Sequence, residues 1–288
     1  MILDRFIGKA RTAQRLLLQQ VRPPRARERV SRTIARLLPD AEFDDAGEAA
    51  AEKIRTDGFV ALDRPIPLDK LRKIRAALEK RPCFDAWRPA RGSFPLEQAP
   101  EDSNNVHIAD VASLREAVEV ANDPFILSAV SAYLGCKPTI DDILAWWSLP
   151  GRPAPLEEQF FHRDQDSIRF VKLFIYLSDV GEDDGPHVFV RGSHRSRFLL
   201  KGGRRFTDDE VFSKVPAEDV IRFTGPFGTA FLEDTYGLHK GTMPTHGTRL
   251  LLQVRYTMLP SAFVAQRKIA ETSGFDPYMN RFIGRDAR

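Results

Sequence analysis

Residues 159–194 read QFFHRDQDSIRFVKLFIYLSDVGEDDGPHVFVRGSH, and the interpretation of the whole chain starts from this stretch. His162 and Asp164 are separated by one residue, and in an extended strand such residues point to the same face. An imidazole and a carboxylate can therefore reach one point in space. A second extended segment follows, then an acidic Gly-Pro turn, and then Gly192-Ser193-His194.

A third candidate ligand, His239, lies far downstream in the sequence YGLHKG. The flanking glycines let the backbone turn sharply and approach a site. His246 competes with His239, but it sits in a Pro-Thr-His-Gly turn, which favours exposure to solvent. Two histidines and one carboxylate on one side of a metal are the ligand set of non-haem Fe(II) oxygenases. We therefore predict metal ligation by His162, Asp164 and His239; the alternative is a histidine and a carboxylate that only hydrogen-bond on a sheet surface.

The combined pattern resembles the phytanoyl-CoA dioxygenase family of Fe(II)/2-oxoglutarate oxygenases. An upstream helix leading to Asp57-Gly58-Phe59-Val60 is similar to the family's usual opening, so the resemblance covers roughly residues 49–259. Arg191 departs from the family, in which proline more often precedes the GSH sequence, but it lies in a turn away from the ligands. The matching residues are FHRD at 161–164, KLFIYLSDV at 172–180, Gly185-Pro186, GSH at 192–194, and His239 through Arg249.

The resemblance implies a dioxygenase with Fe(II) at His162, Asp164 and His239, and with 2-oxoglutarate and O2 as co-substrates. 2-Oxoglutarate would chelate the metal through its keto-acid end and place its far carboxylate against Arg249. The expected reaction is hydroxylation of a C–H bond of a small metabolite, with release of succinate and CO2. Related halogenases lack the carboxylate ligand, so Asp164 favours hydroxylation. Desaturation, ring formation and epimerisation stay open as alternatives.

Arg249 begins the run RLLLQVRY, in which alternation places Arg249, Gln253 and Arg255 on one face of a strand. An interior arginine requires an anion, since an unpaired buried charge is costly. A planar guanidinium suits a carboxylate because it can donate two parallel hydrogen bonds. The alternative partner is a carboxylate of the protein itself.

Two further residues are candidates for binding 2-oxoglutarate. Lys172 shares a strand face with three aromatic residues, where it could extend to solvent, make a cation–π contact or help to hold the co-substrate. Thr242 could donate its hydroxyl to the same carboxylate as Arg249. An anionic or sugar-like substrate is favoured by four arginines close in sequence to the predicted site: Arg163, Arg169, Arg191 and Arg255.

The other histidines and the tryptophans are expected to be structural. His107, His187 and His194 are interpreted as bracing residues, and Trp146 and Trp147 as barrel wall. Competing catalytic classes lack support, because the sequence contains no HExxH, Walker loop, GxSxG or dinucleotide GxGxxG motif.

Composition narrows the class of protein. The chain has 288 residues, 42% hydrophobic, which supports a substantial core. Cys83 and Cys136 are far apart and in no CxxC pattern, which argues against a disulfide framework or a thiolate zinc site. Neither a signal peptide nor an apolar run of membrane-spanning length is expected. A cytoplasmic location is the default expectation, with the inner face of a membrane as an alternative.

Positive charge is concentrated at the N-terminus. Residues 1–36 hold ten arginines and lysines against Asp4 and Glu28, whereas the net charge of the whole chain is only +3. A basic segment restricted to one end, without a nucleic-acid motif, does not indicate nucleic-acid binding. Apolar residues at helical spacing over 3–21 predict a basic amphipathic helix, which either packs on the domain or touches an anionic membrane.

The order of elements predicts an α+β protein with a double-stranded β-helix, the jelly-roll or cupin-like fold, and N-terminal helices packed around it. We predict a basic helical segment 1–38, a dioxygenase domain 39–260 (helical part 39–138, jelly-roll core 139–260) and a tail 261–288 with a short helix. Residues 81–106 are predicted to be a long irregular connection that could serve as a lid. Strands are predicted at about 139–149, 158–164, 168–178, 187–190, 219–223, 229–234 and 249–258.

Two interpretations from other classes stay open. The chain could be a jelly-roll protein that binds a metal or ligand without turnover. It could also be a membrane-surface module that acts through residues 1–38. The sequence gives no indication of oligomeric state.

Overall fold

A computed structural model describes residues 14–18, 20–63, 66–200, 205–261 and 267–285. Its α-helices are α1 Pro24–Ala35, α2 Asp45–Asp57, α3 Leu68–Leu78, α4 Arg115–Ala121, α5 Pro124–Leu134 and α6 Asp208–Phe212. Its strands are β1 Phe59–Ala61, β2 Cys83–Phe84, β3 Ser93–Phe94, β4 Asn105–Ile108, β5 Thr139–Ser148, β6 Phe170–Tyr176, β7 His187–Val190, β8 Val220–Phe223, β9 Ala230–Glu233, β10 His239–Gly241 and β11 Arg249–Thr257.

The strands form two antiparallel sheets. The larger has the order β1-β9-β6-β11-β5-β4-β2-β3, and the smaller has the order β10-β7-β8. Strand numbers that are not consecutive within a sheet are typical of a jelly roll, in which the chain crosses between sheets. The predicted α+β class and double-stranded β-helix fold are therefore confirmed.

The two faces of the central strands differ in composition. On β11, Leu250, Leu252, Val254 and Tyr256 lie in the main hydrophobic core, which also contains the buried faces of the helices. The alternate residues of the same strand face a cavity between the sheets. Because successive side chains in a strand point to opposite faces, one strand both closes the helical core and lines the cavity, as the alternation predicted.

Helices α2 and α5 pack together and begin and end at the residues that the sequence favours. Asp44 accepts a hydrogen bond from Gly47 N at 2.8 Å, and Asp123 caps the first turn of α5. Gly58 and Gly135 end the two helices in the left-handed conformation, which only glycine adopts without strain. The helix predicted over residues 3–21 lies mostly outside the described residues.

Two predicted elements differ from the structure. Most of residues 81–106 is irregular, as predicted, but the segment also contains β2, β3 and the start of β4, which extend the large sheet. Residues 158–164 do not form a regular strand: His162 pairs with His239, and Asp164 N donates to Thr235 O at 2.9 Å. The partner residues 235–238 form a turn, so the pairing cannot extend into a ladder.

The described part of the tail, residues 267–285, contains no helix, although a short one was predicted there. Gly274 has a φ of +82° and Pro277 cannot donate a backbone hydrogen bond, so both oppose a helix. The segment instead docks on the domain through the amides of Asn280 and Asn122, which exchange hydrogen bonds of 2.9 and 2.8 Å. Among the described residues, no helix is both long and apolar enough to cross a membrane.

Candidate metal centre and co-substrate pocket

The cavity between the two sheets has a volume of about 170 Å³. Strands β5, β6 and β11 form one wall, and β7 and β10 form the other. Its lining brings together the metal ligands predicted from sequence and Arg249, which is distant in the chain from His162 and Asp164.

The predicted ligands His162, Asp164 and His239 converge in this cavity. One ligand atom from each lies within 4.8 Å of the others, and this group could hold a metal ion. His162 Nε2 is 3.6 Å from one carboxylate oxygen of Asp164, and His239 Nε2 is 3.4 Å from the other. Both histidines are buried, which keeps the three donors in a fixed arrangement.

The orientation of both imidazoles suits a metal. His162 Nδ1 hydrogen-bonds to the carbonyl of Phe160 at 2.9 Å, and His239 Nδ1 to the carbonyl of Gly237 at 3.0 Å. A carbonyl can only accept, so each Nδ1 carries the proton and each Nε2 is left as a donor for a metal. A backbone carbonyl bound to the second ring nitrogen is the usual support of a histidine ligand.

Glycine allows His239 to approach the site. A Cβ atom added to Gly237 would lie 2.4 Å from the Phe189 ring, which no side chain would tolerate. Added to Gly241, it would lie 3.1 Å from Arg249 Nη2, so the backbone of β10 passes directly against the guanidinium. The glycines noted in the sequence therefore let the strand that carries His239 pass close to Arg249 on the facing wall.

The charge of Asp164 is balanced by neighbouring cations. Burial alone would raise the pKa of Asp164, but Lys172 and His239 hold it well below its usual range. Burial and the nearby His239 lower the pKa of His162, whereas Asp164 raises that of His239 against the effect of burial. A divalent cation at this point would face one carboxylate and two imidazole nitrogens, a donor set that fits Fe(II).

Lys172 forms ion pairs with two carboxylates of the protein, Asp164 and Asp166. Its Nζ lies 2.6 Å from Asp164 and 2.9 Å from Asp166, and the side chain is buried. It also lies 5.9 Å from the centre of the Phe170 ring, which is a secondary contact. The ammonium is therefore positioned to orient the carboxylate ligand, an arrangement that the three sequence interpretations did not include.

Arg249, at the start of β11, is buried in the wall of the cavity. Nη2 donates to Ser148 Oγ at 2.8 Å and Nη1 donates to the carbonyl of Gly185, while Nε is buried with no partner in the described ranges. No carboxylate among the described residues forms an ion pair with it. Burial lowers the pKa of Arg249, as expected for a cation transferred out of water without an anion.

The contacts of Thr242 and of four arginines noted in the sequence bear on two other predictions. The hydroxyl of Thr242 donates to the carbonyl of Pro186 at 2.7 Å, and Thr242 does not line the cavity. The four arginines that suggested an anionic substrate have protein partners, including Arg255, which lines the cavity. Arg163 donates to three backbone carbonyls, Arg169 pairs with Glu28, Arg191 with Asp57, and Arg255 with Asp141.

The structure reveals a buried pair that was not predicted. Glu233 is fully buried, and its carboxylate lies 3.0 Å from His187 Nε2. Burial raises the pKa of Glu233 to about 8 and lowers that of His187 well below its usual value. The His187 ring lies 5.5 Å from the His239 ring, nearly parallel to it. The sequence signal for this pair is the single charged residue, Glu233, in the otherwise apolar strand AFLE.

Some of the other histidines and tryptophans noted in the sequence line the cavity, and others lie outside it. His107 and Trp146 line the cavity and stack at 5.6 Å, whereas Trp147 is buried in the main core. His194 lies outside the cavity, and His246 is exposed in a turn as expected. Glu158, which the sequence did not single out, also lines the cavity and accepts a 3.1 Å hydrogen bond from the indole of Trp87.

The jelly-roll fold and its group of two histidines and one carboxylate indicate the class of non-haem iron enzymes that use 2-oxoglutarate. The chain belongs to the phytanoyl-CoA dioxygenase family, whose sequence model matches residues 54–243. No curated protein matches the chain significantly.

Solved structures of similar fold include several enzymes of this class. The epimerase SnoN, in complex with Fe3+, alpha ketoglutarate and nogalamycin RO, has a TM-score of 0.55 at 16% identity, over 84% of this chain and 96% of that one. HygX from Streptomyces hygroscopicus, with nickel, 2-oxoglutarate and hygromycin B bound, has a TM-score of 0.51 at 20% identity, over 83% and 96%. The carbocyclase SnoK from nogalamycin biosynthesis has a TM-score of 0.53 at 19% identity, over 76% and 86%.

Proposed function

We propose that the protein is an Fe(II)- and 2-oxoglutarate-dependent dioxygenase that hydroxylates a C–H bond of a small polar molecule. The observation that carries this proposal is the placement of Arg249, buried and without an anion, in the same cavity as the His162–Asp164–His239 group. An enzyme of this type needs a metal and a dicarboxylate close together, and these residues supply a matching receptor for each.

In this proposal, the Nε2 atoms of both histidines and the Asp164 carboxylate hold Fe(II). The bound iron and 2-oxoglutarate supply activation of O2, with formation of succinate and CO2. The protein's own part is to fix the ligands. The carbonyls of Phe160 and Gly237 set the two imidazole rings, and Lys172 sets the carboxylate.

Arg249 is proposed to bind the far carboxylate of 2-oxoglutarate. Ser148 and Gly185 give the guanidinium only neutral acceptors, so its charge is left for a ligand. Hydrogen bonds between an arginine and a carboxylate are about twice as strong as those between neutral groups. Burial excludes water from the contact and strengthens it further.

For the substrate, we propose a neutral or basic polyhydroxylated molecule, sugar-like rather than strongly anionic. The cavity is also lined by Glu158, Asn105 and the stacked His107 and Trp146, and of these Asn105 is linked to Arg249 through Ser148. These groups can accept hydrogen bonds from hydroxyls and pack against a ring face. The arginines close in sequence to the site do not offer a second anion receptor, because their guanidinium groups already have protein partners.

The test is succinate formation under controlled conditions. Protein loaded anaerobically with Fe(II) and 2-oxoglutarate is exposed to O2, and succinate is measured with and without a panel of hydroxylated compounds. We expect slow succinate release alone and faster release with a substrate. Iron-loaded protein that binds 2-oxoglutarate and gives no succinate with any compound would indicate a binding protein without turnover.

A matched pair of histidine variants separates the metal site from general damage. His239→Ala should lose metal binding and succinate formation, whereas His246→Ala, an exposed turn position, should retain both. Mass spectrometry of the organic product distinguishes the reactions within this class: a gain of one oxygen atom supports hydroxylation. A loss of two hydrogens would indicate desaturation or ring formation instead. An unchanged mass with inverted configuration at one carbon would indicate epimerisation.

A further inference from the structure

A second, larger concave site lies between α1 and the barrel, and it shares no lining residue with the metal cavity. Its volume is about 840 Å³. Eight of its lining residues are arginines, against two acidic residues, Glu28 and Asp234. We call it the arginine groove.

The base of the arginine groove is a buried cation. Arg27 is only 5% exposed, its guanidinium carbon lies 4.0 Å above the centre of the Tyr236 ring, and Nη2 donates to the carbonyl of Ser167. Its Nη1 is buried and has no hydrogen-bond partner among the residues that the structure describes. Leaving a buried guanidinium hydrogen unbonded is costly, so this atom indicates a ligand position at the base of the groove.

The acidic residues of the groove do not balance its charge. Asp234 accepts hydrogen bonds from Tyr133 Oη at 2.5 Å and from Tyr236 N at 3.0 Å, and it forms no ion pair with Arg27. Glu28 is shared between Arg32 at 3.1 Å and Arg169 at 3.2 Å.

Most of the arginines at the rim have no carboxylate nearby. Arg55 pairs with Glu48 and Glu52 outside the groove. Arg25, Arg29, Arg36 and Arg195, in contrast, form no ion pair with a carboxylate anywhere in the described ranges. The groove therefore presents several uncompensated guanidinium groups around one buried guanidinium.

We propose that the arginine groove binds a small soluble molecule carrying two or more phosphate groups. One phosphate would lie against Nη1 of Arg27 and another against the arginines of α1. A phosphate carries a charge of about −1.5 to −2 and three acceptor oxygens, and guanidinium groups match its geometry. A single carboxylate would neutralise only one of these cations.

The shape of the groove distinguishes a soluble ligand from a membrane surface. A flat bilayer meets residues that protrude, whereas Arg27 lies at the base of a concavity and is almost fully buried. Phosphorylated lipids and soluble phosphates share the same chemistry, so both are compared in the test.

The experiment is calorimetric titration of the full chain with tripolyphosphate at physiological ionic strength, where long-range attraction to surface charge is screened. We expect saturable binding that Arg25→Glu/Arg29→Glu weakens at least tenfold. The control Arg72→Glu/Lys73→Glu makes the same charge change at exposed positions of α3, outside the groove, and should weaken binding less than threefold. Arg27→Met should also weaken binding at least tenfold, and thermal unfolding of this variant checks that it is folded.

Several results would overturn the proposal. Equal weakening by both double variants would show attraction to net charge only. Complete displacement of tripolyphosphate by 2-oxoglutarate, or loss of binding in Arg249→Met, would place the anion in the metal cavity. Binding to vesicles containing phosphatidic acid, with no binding of tripolyphosphate, would reassign the surface to lipid.

Discussion

Arg249 and Arg255 lie on the same face of β11, six residues apart, and both are 3% exposed. Their surroundings are opposite in charge. Arg255 lies 2.7 Å from Asp141, 3.3 Å from Asp166 and 3.6 Å from Asp142. Arg249 is surrounded by neutral acceptors and forms no ion pair within the described part of the chain.

The pKa shifts of the two guanidinium groups have opposite signs. Burial lowers the pKa of each, but at Arg255 the carboxylates of Asp166, Asp141 and Asp142 more than reverse this effect. At Arg249, no carboxylate of the described residues reverses the effect of burial, so its pKa is lowered. A buried ion whose partners belong to the protein contributes to the fold, whereas one without a partner is prepared for a ligand. These surroundings assign Arg255 to the fold and support the binding role that we propose for Arg249.

The largest effect is expected for Arg255→Met. Removing Arg255 from the buried charge network takes away the guanidinium that Asp141 and Asp142 contact and leaves Asp166 with Lys172, which costs on the order of 3–5 kcal/mol in the free energy of unfolding. Burial already raises the pKa of Asp142 to about 6 in the presence of Arg255. Urea unfolding of the metal-free protein measures the loss, and Arg255→Lys should recover part of it. A loss below about 1 kcal/mol would remove the structural assignment.

The second largest effect is expected for Arg249→Met, and it should appear in binding rather than in folding. Loss of two charge-assisted hydrogen bonds to a carboxylate, worth about 1.5–3 kcal/mol each, predicts a rise of at least about a hundredfold in the dissociation constant for 2-oxoglutarate. The free energy of unfolding should change little, because no protein carboxylate loses its partner. Titration of the anaerobic Fe(II) protein gives the dissociation constant.

A matched variant sharpens this test. Arg249→Lys retains the positive charge but loses the planar, two-point contact, so it should lie between the wild type and the methionine variant. If Arg249→Met bound 2-oxoglutarate as tightly as the wild type, the assignment of this residue to the co-substrate would be wrong.

Sequence alone could distinguish the faces of β11 but not the partners of its two arginines. Alternation placed Arg249 and Arg255 on the cavity side, and this is a local property of a strand. The carboxylates that surround Arg255 come from β5 and from the segment before β6. Their proximity depends on strand order, which a single sequence does not reveal. For the same reason, Arg255 was grouped with residues favouring an anionic substrate.

The candidate metal site shows the opposite situation. His162, Asp164 and His239 were selected by local motifs, and the structure brings their ligand atoms together. The supporting geometry was wrong in detail, since residues 158–164 form bridges instead of a regular strand. The ion pairs of Lys172 were not anticipated because its partner Asp166 lies on an irregular segment, where side-chain direction cannot be deduced from alternation.

A third prediction concerns Lys172, whose ammonium links the candidate metal ligand Asp164 to the Arg255 network through Asp166. Lys172→Met should weaken Fe(II) binding by roughly tenfold, because groups that orient a ligand typically contribute this much to metal affinity. At saturating Fe(II), the 2-oxoglutarate concentration that gives half-maximal succinate formation should change less than threefold. A large change in 2-oxoglutarate binding with unchanged metal affinity would restore Lys172 as a co-substrate residue.

The smallest effect is expected for Ser148→Ala, beside Arg249. Ser148 Oγ accepts a 2.8 Å hydrogen bond from Arg249 Nη2 and donates a 2.7 Å bond to Asn105, so it fixes the guanidinium without carrying charge. A neutral hydrogen bond contributes about 1 kcal/mol, which predicts a rise of about fivefold in the dissociation constant for 2-oxoglutarate. In the Arg249→Met background the same change should have almost no further effect, because the group that Ser148 orients is gone. Full additivity of the two substitutions would show that Ser148 acts on the ligand independently of Arg249.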